Sequence, residues 1–102
     1  MTDKQIDQLV QILKHYGTRA QRLKLNEELE ELRDANIEDL IDDTEETAAD
    51  SHAHYIEELA DVTIMLEQIK LSMTPQEQAK YYCMIDYKIN RTIGRIERGE
   101  GL

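Results

Sequence analysis

Apolar residues recur three and four residues apart along most of the chain, which is the spacing of one face of an α-helix. A first helix is predicted after Thr2, because Thr2 and Gln5 form a capping-box pattern. Gly17 supplies a stop, and Thr18 with Gln21 repeats the capping-box pattern at the start of a second helix. The predicted apolar faces are Ile6, Leu9, Val10, Leu13 and Tyr16 in the first helix, and Leu25, Leu29 and Leu32 in the second.

Two further helices are predicted in the second half of the chain. One runs from about Ser51 to Met73. The other begins at Thr74-Pro75-Gln76-Glu77, with Thr at the cap, Pro at the first helical position and Glu at the third, as in a capping box, and it stops at Gly99. Their apolar faces are Tyr55, Leu59, Val62, Leu66, Ile69 and Met73, and then Tyr82, Ile85, Ile89, Ile93 and Ile96. Residues 34–51 contain eight acidic residues and no basic one, and within them Ile37, Leu40 and Ile41 favour one short helical turn.

The pattern predicts an all-α bundle of four to five helices in a single domain, residues 1–102. With 102 residues, no Phe or Trp, four Gly and one Pro, the chain has little material for a many-stranded β fold. Its core is thin, so assembly into a homodimer or homotetramer is expected to help stability. The single Cys83 excludes an internal disulfide, and no signal peptide or membrane-spanning run is apparent, so a cytoplasmic location is expected.

The charge balance narrows the classes of partner. Twelve Lys and Arg stand against 22 Asp and Glu, giving a formal charge of −10. Binding to nucleic acid or to an anionic membrane requires clustered basic residues, so neither is expected as a partner. An acidic protein still binds phosphates when divalent cations lie between its carboxylates and the phosphate groups.

Two acid pairs are spaced one helical turn apart: Glu28 with Glu31, and Glu58 with Asp61. If the second and third helices pack antiparallel through their leucine faces, the four carboxylates converge on one side of the packed pair. Clustered oxygen ligands are typical of sites for Mg²⁺ or Mn²⁺. The spacing alone is equally typical of a solvated acidic face.

The acid pairs and their flanks resemble the signature of the MazG-like all-α nucleoside triphosphate pyrophosphohydrolases, in particular the small phage-type members. The second pair begins 27 residues after the first pair ends. The similarity extends over nearly the whole chain, although residues 34–51 do not match the family pattern. The matching stretches are His15-Tyr16-Gly17, Ala20-Gln21, Glu27-Glu28-Leu29-Glu30-Glu31-Leu32, Glu57-Glu58-Leu59-Ala60-Asp61-Val62, Ile64-Met65-Leu66-Glu67-Gln68, and Tyr87-Lys88-Ile89-Asn90-Arg91 with Arg95.

The resemblance implies hydrolysis of a nucleoside triphosphate between the α and β phosphates, giving a monophosphate and pyrophosphate. It implies that Mg²⁺, or Mn²⁺ in its place, is held by catalytic ligands, with a bound water attacking the α phosphorus. Which acid orients the water stays open between these ligands and the neighbouring Glu27 and Glu57. The ligands carried over are Glu28, Glu31, Glu58 and Asp61.

Basic residues on two helices are candidates for substrate binding. Lys88, Arg91 and Arg95 share one face of the last helix, as either a phosphate clamp or a solvated basic face. Lys24 lies one turn before Glu28 and either reaches the same site or forms an ordinary i, i+4 pair with it.

Three other features do not support a catalytic class. His52 and His54 lack the i, i+4 spacing of a helical zinc pair and are predicted to be exposed. Asp86 falls on the apolar face of the last helix, where it either pairs with a basic residue or marks a subunit contact. No glycine-rich phosphate loop is present, which excludes a P-loop NTPase. The competing function is a non-enzymatic acidic helical module that binds a protein partner.

Overall fold

The structure, a computed structural model, describes residues 1–100, and these form four α-helices and no strand. The prediction of an all-α fold is confirmed. The helices are α1 (Asp3–Tyr16), α2 (Thr18–Ile41), α3 (Ala48–Ser72) and α4 (Pro75–Glu97).

The capping boxes predicted for α1 and α4 are confirmed. At α1, the Thr2 hydroxyl accepts a hydrogen bond from the Gln5 backbone N–H at 3.1 Å, and the Gln5 side chain accepts one from the Thr2 N–H at 2.9 Å. Thr74 and Glu77 make the same reciprocal pair at 3.2 and 2.9 Å, with Pro75 at the first helical position of α4. Local chemistry therefore determines where both helices begin.

The second predicted capping box is wrong. Thr18 is already helical, and Gly17 occupies the cap with a φ of 89° and no side-chain hydrogen bond. A single residue thus separates α1 from α2. The Gln21 side chain does not turn back to cap its own helix because it binds Gln68 on α3, at 2.8 Å.

The acidic segment is divided between helix and loop. Its first residues continue α2 as far as Ile41, so the expected separate helical turn is wrong, and α3 begins at Ala48, three residues before the predicted start. In the loop between them, the Asp42 carboxylate accepts hydrogen bonds from the backbone N–H and hydroxyl of Thr44, at 3.2 and 3.0 Å. It also accepts from the hydroxyls of Thr47 at 2.8 Å and Ser51 at 2.5 Å.

These hydroxyl groups replace the basic residues that the segment lacks. They stabilise the charged form of Asp42, so that hydrogen bonds from Ser51, and then from Thr47 and Thr44, lower the pKa of Asp42 to about 2. A second contact lies nearby, where His52 Nδ1 is 3.0 Å from Asp39 Oδ2. The loop is therefore organised although it carries no Lys or Arg.

The unit Met1–Ser72 contains α1, α2 and α3, which pack against one another. Pairing of Gln21 with Gln68 and of Glu31 with Glu58 shows that α2 and α3 run antiparallel. The contact between them, called the α2–α3 seam, is largely polar. The buried residues of the unit are Leu9, Ala35, Val62 and Met65, together with the polar Gln21, Glu28, Ser51, Glu58 and Gln68.

This seam differs from the predicted one. The predicted apolar faces of α2 and α3 were expected to pack together. Val62 of the α3 face is buried, but Leu29, Leu59 and Leu66 are 44%, 42% and 48% exposed. The helices instead meet through the faces that carry the acids and the small Ala35 and Ser51, which leaves the leucines beside the seam. The acids were expected on one side of the packed pair, whereas Glu28 and Glu58 are buried within the seam.

A second unit begins at Met73 and, within the described residues, consists of α4 and the short segment after it. The predicted apolar face of α4 is exposed in the single chain, contrary to the expectation of burial. Asp86 on this helix accepts a hydrogen bond from the Asn90 amide at 3.4 Å and is exposed as well. The exposed members of the face are Tyr82, Ile85, Ile89, Ile93 and Ile96, at 52%, 38%, 57%, 49% and 58%.

Across residues 1–100, no helix combines the length and the apolar character needed to cross a lipid bilayer.

Candidate metal centre

Carboxylates from α2 and α3 meet at the centre of the α2–α3 seam. Glu28 and Glu58 are each only 8% exposed, whereas Glu31 is exposed. One carboxylate oxygen from each of the three lies within 4.8 Å of the other two. Asp61, which is half-buried, lies near enough for its charge to raise the pKa of Glu28. The structure therefore brings together residues from both acid pairs.

The electrostatic environment opposes a full set of negative charges. The pKa of Glu28 is raised first by burial and then by the charges of Glu31 and Asp61. Lys24 acts in the opposite direction, with its Nζ 3.5 Å from Glu28 Oε1 and 3.4 Å from Glu27 Oε2. The structure therefore shows the ordinary i, i+4 ion pair between Lys24 and Glu28, which was one of the two interpretations of Lys24. One exposed ammonium group does not neutralise the carboxylates that surround Glu28.

Two buried oxygens of the cluster have no hydrogen-bond partner within residues 1–100. They are Glu28 Oε2 and Glu58 Oε2, and each is almost completely shielded from solvent. The other oxygen of Glu58 is 3.1 Å from His54 Nε2. A buried polar atom without a partner costs about 1–3 kcal/mol, and more when it is charged. The cluster thus contains two buried acceptor atoms that receive no hydrogen bond.

These residues fit a hard divalent cation. The three clustered donor atoms are carboxylate oxygens, which Mg²⁺ and Mn²⁺ prefer over the nitrogen and sulfur ligands of softer metals. They lie within 4.8 Å of one another, so small movements of the side chains would bring them to one ion. An ion here would also reduce the repulsion that raises the pKa of Glu28.

His54 is a residue of this site that sequence reasoning missed. It is exposed, as predicted, with its side chain 50% accessible, yet its ring contacts the buried Glu58. The available signal was the i, i+4 spacing between His54 and Glu58 on α3, because residues four apart share a helix face.

The predicted basic face lies outside the Met1–Ser72 unit. Lys88 and Arg91 are exposed on α4, and Arg95 is half-buried. Their role as a phosphate clamp stays a prediction. In the unit that holds the carboxylates, the outward-facing acids of the two motifs, Glu27, Glu30 and Glu57, are exposed.

The chain was compared with known protein families, with curated proteins and with solved structures. None of the three comparisons found a match. The resemblance to the MazG-like enzymes therefore rests on the motifs and their spacing.

Proposed function

We propose that this chain is a metal-dependent nucleoside triphosphate pyrophosphohydrolase of the MazG-like type. The observation that carries the proposal is the pair of buried, unpartnered oxygens on Glu28 and Glu58 within the carboxylate cluster. The contacts of Glu28 with Lys24 and of Glu58 with His54 leave these two oxygens without a partner. Such an arrangement is typical of a site that is completed by a bound cation.

In this proposal, Glu28, Glu31, Glu58 and Asp61 hold Mg²⁺, with Mn²⁺ as a substitute. When bound, the ion would lower the pKa of a coordinated water and offset negative charge on the phosphates. Glu28 and Glu58 form the enclosed side of the site, where burial excludes competing water. Glu31 is exposed, and so lies where a triphosphate can approach from solvent.

Lys24 is the basic residue that the structure places at the cluster. Its side chain is 52% exposed and contacts both Glu27 and Glu28. A long, flexible ammonium side chain with this exposure is able to leave one partner for another at little cost. We assign Lys24 to phosphate binding, where it would exchange a carboxylate for a phosphate oxygen, and we assign Lys88, Arg91 and Arg95 to the same role.

The proposal includes assembly into a homodimer or homotetramer. Apolar side chains are exposed on both units, and a groove of about 300 Å³ between α2 and α3 is lined mainly by Leu29, Leu32, Tyr55 and Leu59. With few apolar residues buried in the single chain, a second copy that covers these surfaces would supply the missing apolar burial. Sedimentation equilibrium measures the assembly, and Ile89→Lys, which adds a charge to the exposed face of α4, is expected to weaken it.

The reaction is tested by a pyrophosphate-release assay on canonical and modified nucleoside triphosphates, with and without Mg²⁺. We expect monophosphate and pyrophosphate in equal amounts, strictly dependent on the metal. Glu28→Gln should abolish turnover while the helical circular dichroism spectrum is retained. Glu30→Gln is the matched control because Glu30 lies on the same helix but is exposed. Release of phosphate instead of pyrophosphate would refute the assigned bond.

The alternative function, an acidic module that binds a protein partner, is favoured by the exposed apolar face of α4. The same assay separates the two functions. A folded protein that hydrolyses no nucleotide and shows no response to Mg²⁺ would support the module and refute the enzyme.

A further inference from the structure

Gln21 and Gln68 form a buried amide pair in the α2–α3 seam, outside the carboxylate cluster. Gln21 Nε2 donates to Gln68 Oε1 at 2.8 Å. The two side chains are 7% and 1% exposed, and Gln68 is the most completely enclosed large side chain among residues 1–100. The proposed hydrolysis gives neither residue a chemical role.

The amide pair and the carboxylates lie in one register. Seven residues after Gln21 on α2 stands Glu28, and seven residues before Gln68 on α3 stands Asp61. Three residues further along each helix in the same directions stand Glu31 and Glu58, which have carboxylate oxygens within 4.8 Å of each other. Seven residues are two turns, about 10.5 Å. The antiparallel alignment that pairs the glutamines is therefore the same alignment that brings the acids together.

The other buried residues of α2 and α3 select this register less sharply. Ala35 and Ser51 are small, and the acids repel one another. The buried Val62 and Met65 contribute apolar burial, which is non-directional. A buried polar pair is able to specify the alignment of packed helices, because any slip leaves its donors and acceptors unsatisfied. A slip of one turn moves a helix by about 5.4 Å, which exceeds the 4.8 Å span of the cluster.

We propose that the Gln21–Gln68 hydrogen bond is a positioning device, which sets the register of α2 against α3 so that the carboxylates of Glu28, Glu31 and Glu58 converge beside Asp61. Its consequence for metal binding rests on the proposed function, whereas the register itself does not. The two residues act through Glu28, Glu31, Glu58 and Asp61 and do not contact the ion.

The double variant Gln21→Met/Gln68→Met tests this role. Met has nearly the shape of Gln and buries well, and replacing both partners of a buried hydrogen bond by apolar groups is nearly neutral or stabilising. We therefore expect urea stability at or above that of the wild type. Each single variant should be less stable, since it leaves one buried amide without its partner. Gln11→Met, at an exposed position on α1, is the matched control.

Two readouts of the double variant report the register. The first is the set of NMR nuclear Overhauser contacts between α2 and α3 in the helical turns that hold Glu31 and Glu58, which we expect to weaken or disappear. The second is the Mn²⁺ dissociation constant, measured by electron paramagnetic resonance of free Mn²⁺. Supporting groups around metal ligands typically change affinity 10- to 100-fold, and we expect a loss of at least tenfold.

The outcomes separate this inference from the proposed function. A stable double variant that has lost both these contacts between α2 and α3 and the Mn²⁺ affinity supports the register role. Unchanged contacts overturn it, because the amide pair would then contribute packing alone. If the wild type itself binds no Mn²⁺, the proposed function fails, and the nuclear Overhauser contacts still decide the register role in either direction.

Discussion

Replacing Glu28 with Gln is expected to stabilise the metal-free protein and to remove its response to Mg²⁺. Most substitutions of buried residues destabilise a protein, so the sign of this effect is diagnostic. The physical reason is that Glu28 is buried among like charges and has one oxygen without a partner. Gln keeps the shape of the side chain, removes one negative charge and adds an N–H donor beside the neighbouring carboxylates.

The magnitude follows from the distances in the cluster. Two unit charges 4.8 Å apart repel by about 1 kcal/mol in a medium as polar as water and by about 3.5 kcal/mol at an effective dielectric constant of 20. Loss of the contact with the exposed Lys24 cancels part of the gain. We expect Glu28→Gln to raise the metal-free free energy of unfolding by about 1–2 kcal/mol. For a domain of this size, each kcal/mol corresponds to about 4–8 °C in Tm.

The pH dependence has a definite sign. Because the pKa of Glu28 is raised in the folded state, the folded protein binds a proton more tightly than the unfolded chain. Its contribution to stability is fully present below the unfolded value of 4.5 and is lost as the pH rises through the folded pKa. The metal-free wild type should therefore lose stability over this interval, and Glu28→Gln should lack that component of the slope.

Urea unfolding followed by circular dichroism, in EDTA at several pH values and in excess Mg²⁺, checks all three expectations. The wild type should gain about 2.7 kcal/mol when the Mg²⁺ concentration is a hundred times the dissociation constant, and Glu28→Gln should gain almost nothing. Glu30→Gln should match the wild type under both conditions. A Glu28→Gln protein that is less stable in EDTA, or that keeps the full gain from Mg²⁺, would refute the reasoning.

Three further predictions concern other parts of the Met1–Ser72 unit. Asp42→Asn should destabilise the protein at neutral pH and flatten the acid transition. The reason is that the stability contributed by Asp42 is present above its unfolded pKa of 3.8 and is lost as the pH falls towards about 2. Acid titration followed by circular dichroism measures this loss of stability. Lys24→Met should lower stability in EDTA but not in saturating Mg²⁺, since its ammonium partly offsets the charge of Glu28 in the metal-free protein. Met65→Ala, in the buried seam, should lower the free energy of unfolding measured in urea by about 2–5 kcal/mol. Leu40→Ala is the control, because that side chain is 76% exposed, and it should change the free energy of unfolding by no more than about 0.5 kcal/mol.

The helix starts could be predicted from the sequence because they depend on neighbouring residues. Thr2 with Gln5, and Thr74 with Pro75 and Glu77, place hydrogen-bond partners within one turn, and the structure shows those bonds. The i, i+3 spacing likewise predicts which acids share a face of one helix, but the approach of Glu58 to Glu28 and Glu31 depends on how α2 packs against α3.

The helix faces that pack together could not be predicted from the same information. The bond between Gln21 and Gln68 joins residues 47 positions apart, and no local pattern encodes that pairing. Helical periodicity identified the leucines as the buried face of α2, but Leu29 lies beside the seam and Glu28 within it. Helical periodicity identifies an apolar face but does not indicate whether residues of the same chain pack against that face. Ile89, which lies on the apolar face of α4 and is exposed, illustrates this.

The one-residue link between α1 and α2 makes the chain a favourable system for measuring the cost of backbone geometry by itself. Gly17 has a φ of 89°, and a Cβ atom built there meets no atom within 4 Å. An L-alanine at this position would therefore encounter conformational strain without any steric contact beyond its immediate neighbours. Chemical synthesis with D-alanine reverses the chirality, so that a positive φ becomes favourable and the unfolded chain loses the freedom of glycine. The difference in unfolding free energy between the two epimers would give the energetic value of handedness at a single residue.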